Sequence, residues 1–241
     1  MQIHAHALTD QGQIRHENQD AYFMDEVNQV YAVADGLGGL PGGAEASRRI
    51  VELLQASSER LRVQEASVDL AEFIIGINQI VASESMESHP MTGSGSTLTL
   101  CQITDNQLQI GHVGDSAAYL LRDGKLQKLT VDHTLEQELI NEHGEKARQH
   151  MPPEYPHTLT RCIGQENELR VDQTSVQLQS GDRILLCTDG LNKVVAETEI
   201  AQTLGADLDP EEITRRLTET ANAQSGPDNI TIITLILSDC D

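Results

Sequence analysis

The sequence predicts an α+β fold, a four-layer αββα sandwich in which two mostly antiparallel sheets are flanked by helix pairs. Two observations carry this expectation. Short apolar or alternating runs occur in groups separated by turn residues, as antiparallel strands do. Stretches with helical periodicity are inserted in consecutive pairs, so they must cover sheets from outside.

The elements follow in order. Runs at 3–9, 21–25 and 30–34 are bounded by polar or glycine-containing turns and predict three strands. A glycine-rich stretch, 36–43, breaks the pattern. Ala46, Ile50, Leu53 and Leu54, then Leu70, Phe73, Ile74, Ile77 and Val81, recur at helical spacing and predict helices over about 43–62 and 67–86. Strands return at 96–103, 108–113, 117–122 and 125–129, with Asp105-Asn106 and Asp123-Gly124 as hairpin turns. A helix is expected at 134–143, and 144–156 is polar with three prolines, hence a loop. Strands at 172–178 and 183–187, helices near 196–204 and 210–223, and a strand at 230–237 complete the chain.

No run of Pro, Ser or Gly is long enough to divide the 241 residues, and no repeat is present, so residues 1–241 are expected to form one domain. With two Phe, four Tyr and no Trp, the core has to be built from Leu, Ile, Val and Ala. The formal net charge of -22 disfavours nucleic acid and anionic membrane surfaces as partners. Cys101, Cys162, Cys187 and Cys240 have no metal-ligand spacing, and two of them lie in apolar strands, which suggests free thiols in a reducing compartment. No charged-then-apolar leader opens the chain and no apolar stretch reaches membrane-spanning length. A cytoplasmic location and a monomer are expected.

Four segments are each read as placing an aspartate at the end of an apolar strand, beside glycine or another turn residue: Val33-Ala34-Asp35-Gly36, His112-Val113-Gly114-Asp115, Leu186-Cys187-Thr188-Asp189-Gly190 and Ser225-Gly226-Pro227-Asp228-Asn229. A fifth, Asp20, precedes Ala21-Tyr22-Phe23. One Asp-Gly is ordinarily a turn. Five converging carboxylates would repel one another unless a cation neutralises them or some stay protonated. Carboxylates without a His or Cys cluster select hard ions, Mg²⁺ or Mn²⁺. A carboxylate bridging two such ions holds them ~3.5–4 Å apart and can activate the water between them. The nine histidines lack the spacing of a metal site, and the glycine-rich stretch lacks the Lys-Ser/Thr of a P-loop.

Here a resemblance becomes specific. Arg15-His16-Glu17-Asn18-Gln19-Asp20-Ala21 resembles R-x-x-N-Q-D-A, which opens the PP2C (PPM) phosphatases, and Val33–Gly39 resembles V-A-D-G-M-G-G. Gly42–Ser47 is similar to G-G-x-x-A-S, Ser94–Thr97 to the G-T-T strand and Gly114–Ser116 to G-D-S-R. Leu159–Gly164 matches L-T-R-A-[LIV]-G, Leu186–Leu191 matches L-x-[ST]-D-G-L and Asp228–Thr231 matches D-N-[IV]-T. The motifs keep the family's order from residue 15 to 231. The resemblance is to the bacterial stand-alone type.

It implies metal-dependent hydrolysis of phosphoserine and phosphothreonine in proteins, opposing a Ser/Thr kinase, with phosphoprotein substrates as partners and a kinase or its targets among them. It implies two core Mn²⁺ or Mg²⁺ ions. Asp35 would bridge both, the Gly36 carbonyl would bind one, and Asp189 and Asp228 would hold the other. Asp20 would orient the attacking water, and Arg15 would grip the substrate phosphate. Asp115, with Asp189, would hold a weaker third ion. Asn229 would fix the loop around Asp228, His133 would lie near the active-site rim, and 144–157 would form a flap. Leu37 stands where many eukaryotic members have His and bacterial members usually Met, and Ala117 stands where the G-D-S-R arginine would be. Two other functions remain compatible with this pattern: a non-catalytic phosphoprotein-binding module, and a phosphatase acting on small metabolites.

Overall fold

The computed structural model describes residues 1–38, 42–63 and 69–239. Gly39, at the end of the second motif, and Cys240 lie outside the described residues. Among the described residues, ten strands form two five-stranded sheets. The first contains β1 (Gln2–Asp10), β6 (Ala117–Arg122), β7 (Lys125–Lys128), β9 (Arg183–Cys187) and β10 (Ile230–Ser238), in the order β1-β10-β9-β6-β7. The second contains β2 (Asp20–Asp25), β3 (Val30–Asp35), β4 (Leu98–Thr104), β5 (Gln107–Val113) and β8 (Asp172–Gln177), in the order β2-β3-β4-β5-β8. Every pairing between these strands is antiparallel.

Strand periodicity explains why both faces of each sheet are covered. Alternate residues of a strand point to opposite faces. In β3, Val30, Ala32 and Ala34 feed one apolar layer, with Ile50, Leu54, Ile74 and Ile77 of the helices outside it. Tyr31 and Val33 feed a middle layer that meets Ala118, Leu120, Leu186, Ile233 and Leu235 of the other sheet. In β6, Ala117, Tyr119 and Leu121 turn outward to a third layer with Ile200, Leu204, Ile213 and Leu217. Three apolar layers separate four structural layers, as the strand and helix pattern predicts.

The outer helices are α1 (Gly43–Val63) and α2 (Leu70–Ser88) on one side, and α5 (Glu197–Leu204) and α6 (Pro210–Ala223) on the other. The start of α2 is set by Asp69, whose carboxylate accepts from the Ala71 and Glu72 amides; the start expected at 67 lies outside the described residues. Asp209 caps α6 in the same way, through the Glu212 amide at 2.8 Å, and Pro210 occupies the first turn. Both predicted hairpin turns hold: Asp105 and Asn106 have φ of 50° and 62°, and Asp123 and Gly124 have 51° and 72°.

Two local differences appear. Residues 144–156, expected as a loop, carry two 3₁₀ turns, Glu145–His150 and Tyr155–His157, beyond α3 (Leu135–His143). A four-residue helix, α4 (Asp189–Asn192), follows β9 directly; it is too short to leave a periodic signature. Among the described residues, no helix is long and apolar enough to cross a membrane.

Candidate metal centre and active site

Antiparallel pairing brings the aspartates together. Asp20 opens β2 and Asp35 closes β3, and the two are direct partners in register. Asp115 follows β5. Because β9 runs against β10, Asp189 just beyond the end of one stands beside Asp228 just before the start of the other. Three carboxylates thus come from one sheet and two from the other. Their proximity is felt electrostatically. Burial, then the charges of Asp20, Asp189, Asp115 and Asp228, holds the Asp35 carboxyl well above the usual range. Burial, with Asp189 and Asp228 adding to it, pushes Asp20 up to about 7 against the opposing hydrogen bond from Thr188. Asp115 rises to about 6 through burial and Asp189, with Lys193 opposing.

The supports are backbone and hydroxyl contacts. Thr188 Oγ1 donates to Asp20 Oδ2 at 2.7 Å and accepts the Thr231 amide at 2.9 Å. Asp20 Oδ1 is buried and has no hydrogen-bond partner among the described residues. Thr97 Oγ1 accepts the Asp35 amide at 3.0 Å and pairs with Ser116 Oγ at 2.7 Å, tying the end of β3 to the turn that carries Asp115. Asn229 accepts from the Gln19 amide and donates to the carbonyls of Gln11 and Glu17, so it clamps the loop bearing Arg15. At Gly36 a Cβ would stand 2.3 Å from the Gly43 carbonyl oxygen and 2.7 Å from that of Gln19. Only glycine lets the chain pass between Asp35 and the first turn of α1.

Arg15 lies at this cluster, its Nη2 donating to Asp228 Oδ2 at 2.6 Å. His133, expected at the rim, is instead buried beneath the Asp115 turn, where its Nδ1 accepts the Gly114 amide at 3.1 Å. Its neighbour His112 donates through Nε2 to the Val131 carbonyl and accepts at Nδ1 from Thr99. Burial, then His133 and Lys128, drives His112 down to about 3. Thr188, Thr97 and Lys193 were not singled out from sequence. The Lys193 ammonium bridges Asp115 Oδ2 at 2.5 Å and Asp189 Oδ2 at 3.0 Å. The signal for it was the four-residue spacing from Asp189, which becomes a contact only once α4 forms.

These groups give a pH prediction for protein held in chelator. A carboxyl with a raised folded-state pKa binds its proton where the unfolded chain has lost it, so stability rises as pH falls through that value. Asp20 and Asp35 should therefore make the protein more stable at pH 6.5 than at pH 8, by on the order of 1–2 kcal/mol. Below about 6.5 unfolded histidine takes up protons that buried His112 and His133 resist, which weakens this trend without reversing it, because Asp20, Asp35 and Asp115 hold protons that the unfolded chain has released. Urea melts in EDTA should show stability falling as pH rises from 6.5 to 8; a rise over that range would contradict the carboxylate repulsion.

The donor set fits hard divalent ions. It is all oxygen, its members repel one another, and one buried carboxylate oxygen lacks a partner. Among the described residues no three His, Cys, Asp or Glu side chains stand as a ready-formed ligand cluster; the carboxylates engage Arg15, Lys193 and Thr188.

Comparison with known proteins gives the class. A sequence profile described as "Protein phosphatase 2C" matches residues 13–229. The serine/threonine phosphatase stp of Listeria monocytogenes is 34% identical over 238 residues, spanning 96% of this chain and 94% of the relative. The Mycobacterium tuberculosis serine/threonine phosphatase PstP/Ppp superposes with a TM-score of 0.84 at 31% identity, covering 98% of this chain and 99% of the other. A catalytic domain of PstP in complex with two manganese ions superposes at 0.82 and 32% identity, covering 98% and 99%. The chain belongs to the protein phosphatase 2C family. It is by class a protein serine/threonine phosphatase.

Proposed function

We propose that this chain hydrolyses phosphoserine and phosphothreonine in cytoplasmic proteins by a two-ion mechanism, opposing a Ser/Thr kinase, as one catalytic unit and as a monomer. The observation that carries it is the convergence of Asp35, Asp189 and Asp228, from two sheets, around mutually repelling charge. Asp35, the Gly36 carbonyl, Asp189 and Asp228 would hold two Mn²⁺ or Mg²⁺ ions. Bound there, the ions supply Lewis acidity that lowers the pKa of a water to near neutrality. The middle apolar layer shared by both sheets supports a single unit, and the free thiols of Cys101, Cys162 and Cys187 support a reducing compartment.

The protein's own groups then have separable tasks. Asp20 Oδ2 is tied to Thr188, which leaves Oδ1 to accept a hydrogen bond from the attacking water. Arg15 presents a planar fork suited to two phosphate oxygens, stabilising charge as it develops on the equatorial atoms. Gly38 lets the guanidinium lie close, since a Cβ there would be 2.7 Å from Nη1. Residues 144–157, with their two 3₁₀ turns, would form the flap beside this face.

Turnover of a phosphothreonine peptide should require Mn²⁺ or Mg²⁺, vanish in EDTA and not return with Ca²⁺, whose looser geometry suits the chemistry poorly. Full activity in chelator would defeat the ion mechanism. Parallel assays with sugar and nucleotide phosphates separate a protein phosphatase from one acting on metabolites, and phosphopeptide binding without turnover would mark a binding module. Arg15→Ala should reduce kcat/KM roughly 10-fold or more, the size expected for a lost charge-assisted contact of about 1.5–3 kcal/mol. Ion binding measured by calorimetry should persist in that variant.

A further inference from the structure

The expectation of a third ion between Asp115 and Asp189 meets an ammonium already between them. Lys193 Nζ contacts Asp115 Oδ2 at 2.5 Å and Asp189 Oδ2 at 3.0 Å, with all three side chains largely buried. The lysine is held there by local structure: its amide donates to the Asp189 carbonyl at 3.0 Å, closing the turn that starts at Asp189 itself. Asp115 has no other cationic partner among the described residues, and Ala117, two residues on, is fully buried and uncharged.

We propose that the Lys193 ammonium takes the place of a third cation, so that this chain carries two exchangeable divalent ions and one positive charge built into α4. The inference rests on Asp35, Asp189 and Asp228 forming the two-ion core. A divalent ion on the same carboxylate oxygens would lie within contact distance of the ammonium, like charge against like, in a site with little water to screen it. Formal charge agrees. Asp20, Asp35, Asp115, Asp189 and Asp228 are balanced by two divalent ions and Lys193, which leaves the charge of Arg15 for the substrate phosphate. Lys193 is on this account a positioning residue: it holds the Asp115 turn against Asp189 and leaves Asp189 Oδ1 for the core.

The test is ion stoichiometry rather than turnover alone. Equilibrium dialysis against rising Mn²⁺, followed by elemental analysis, should give two Mn²⁺ per parent chain even at millimolar ion, with activity saturating in a single phase. Lys193→Met, nearly equal in length and uncharged, should take up a third, weaker Mn²⁺ that disappears again when Asp115→Asn is added. Lys193→Arg, which keeps the charge, should stay at two. Three ions on the parent chain would overturn the proposal while leaving the two-ion core standing. Two ions on a folded Lys193→Met, checked by circular dichroism, would overturn it as well. If Lys193→Met does not fold, the parent stoichiometry still decides between two and three. Fewer than two on the parent chain would instead remove the core reading, and the proposal with it.

Discussion

Asp35→Asn is expected to abolish turnover, by roughly 10³-fold or more, while making the protein more stable in chelator. Both effects have one cause. Asp35 is half-buried and faces the charges of Asp20, Asp189, Asp115 and Asp228, so its own ionisation is opposed from every side. Asparagine keeps the shape and removes the charge. At pH 8 in EDTA, relief of that repulsion should raise Tm by a few degrees, at about 2–4 °C per kcal/mol for a chain of this size. The same change removes the carboxylate proposed to touch both ions, so calorimetry should show weakened Mn²⁺ binding at both positions. A loss of this size is in the range found when a main source of transition-state electrostatic stabilisation is deleted. A fall in Tm in EDTA would argue that Asp35 contributes to stability instead, and retained turnover would remove it from the centre.

Gly190→Ala should be nearly as damaging, without touching a charge. A Cβ at Gly190 would stand 1.9 Å from the Asn229 carbonyl oxygen and 2.9 Å from its carbon, both backbone atoms that cannot rotate away. Either α4 lifts from the start of β10 or the 228–229 turn moves. Each outcome separates Asp189 from Asp228 and disturbs the contacts through which Asn229 holds residues 11–19. Overpacking of this kind costs about 1–3 kcal/mol. Turnover should fall on the order of 10²-fold, because displacements near 1 Å are felt strongly in positioned chemistry. Unfolding curves and Mn²⁺ titration on the same preparation read both consequences. Parent-like kinetics with unchanged Tm would mean the two segments are not locked together as the structure has them.

The aspartate motifs are legible in the chain because each is a short, local pattern beside a turn residue; Asp228, expected at the end of a strand, stands instead just before β10. Arg15 and Gly36 were visible for the same reason, through the motifs around them. Lys193, Thr188 and Thr97 carry no comparable local pattern, because their roles are defined by contacts at 78, 168 and 62 residues' separation. The Asp132-His133 context predicts a rim position for His133; the structure buries it, where its Nδ1 accepts the Gly114 amide beneath the Asp115 turn.

By itself the sequence determined the number and order of the ten strands, both hairpin turns, the paired helices and the hard-ion character of the donors. Those properties follow from periodicity, local backbone preference and side-chain chemistry, which act over a few residues. Only the tertiary structure decided which carboxylates meet, because the antiparallel registers of β2 with β3 and β9 with β10 set those distances. It also decided that α4 exists, and with it that a lysine lies between Asp115 and Asp189. A four-residue helix is held by packing against β10 and not by propensity, so it and its lysine contact become defined only when the sheet is complete.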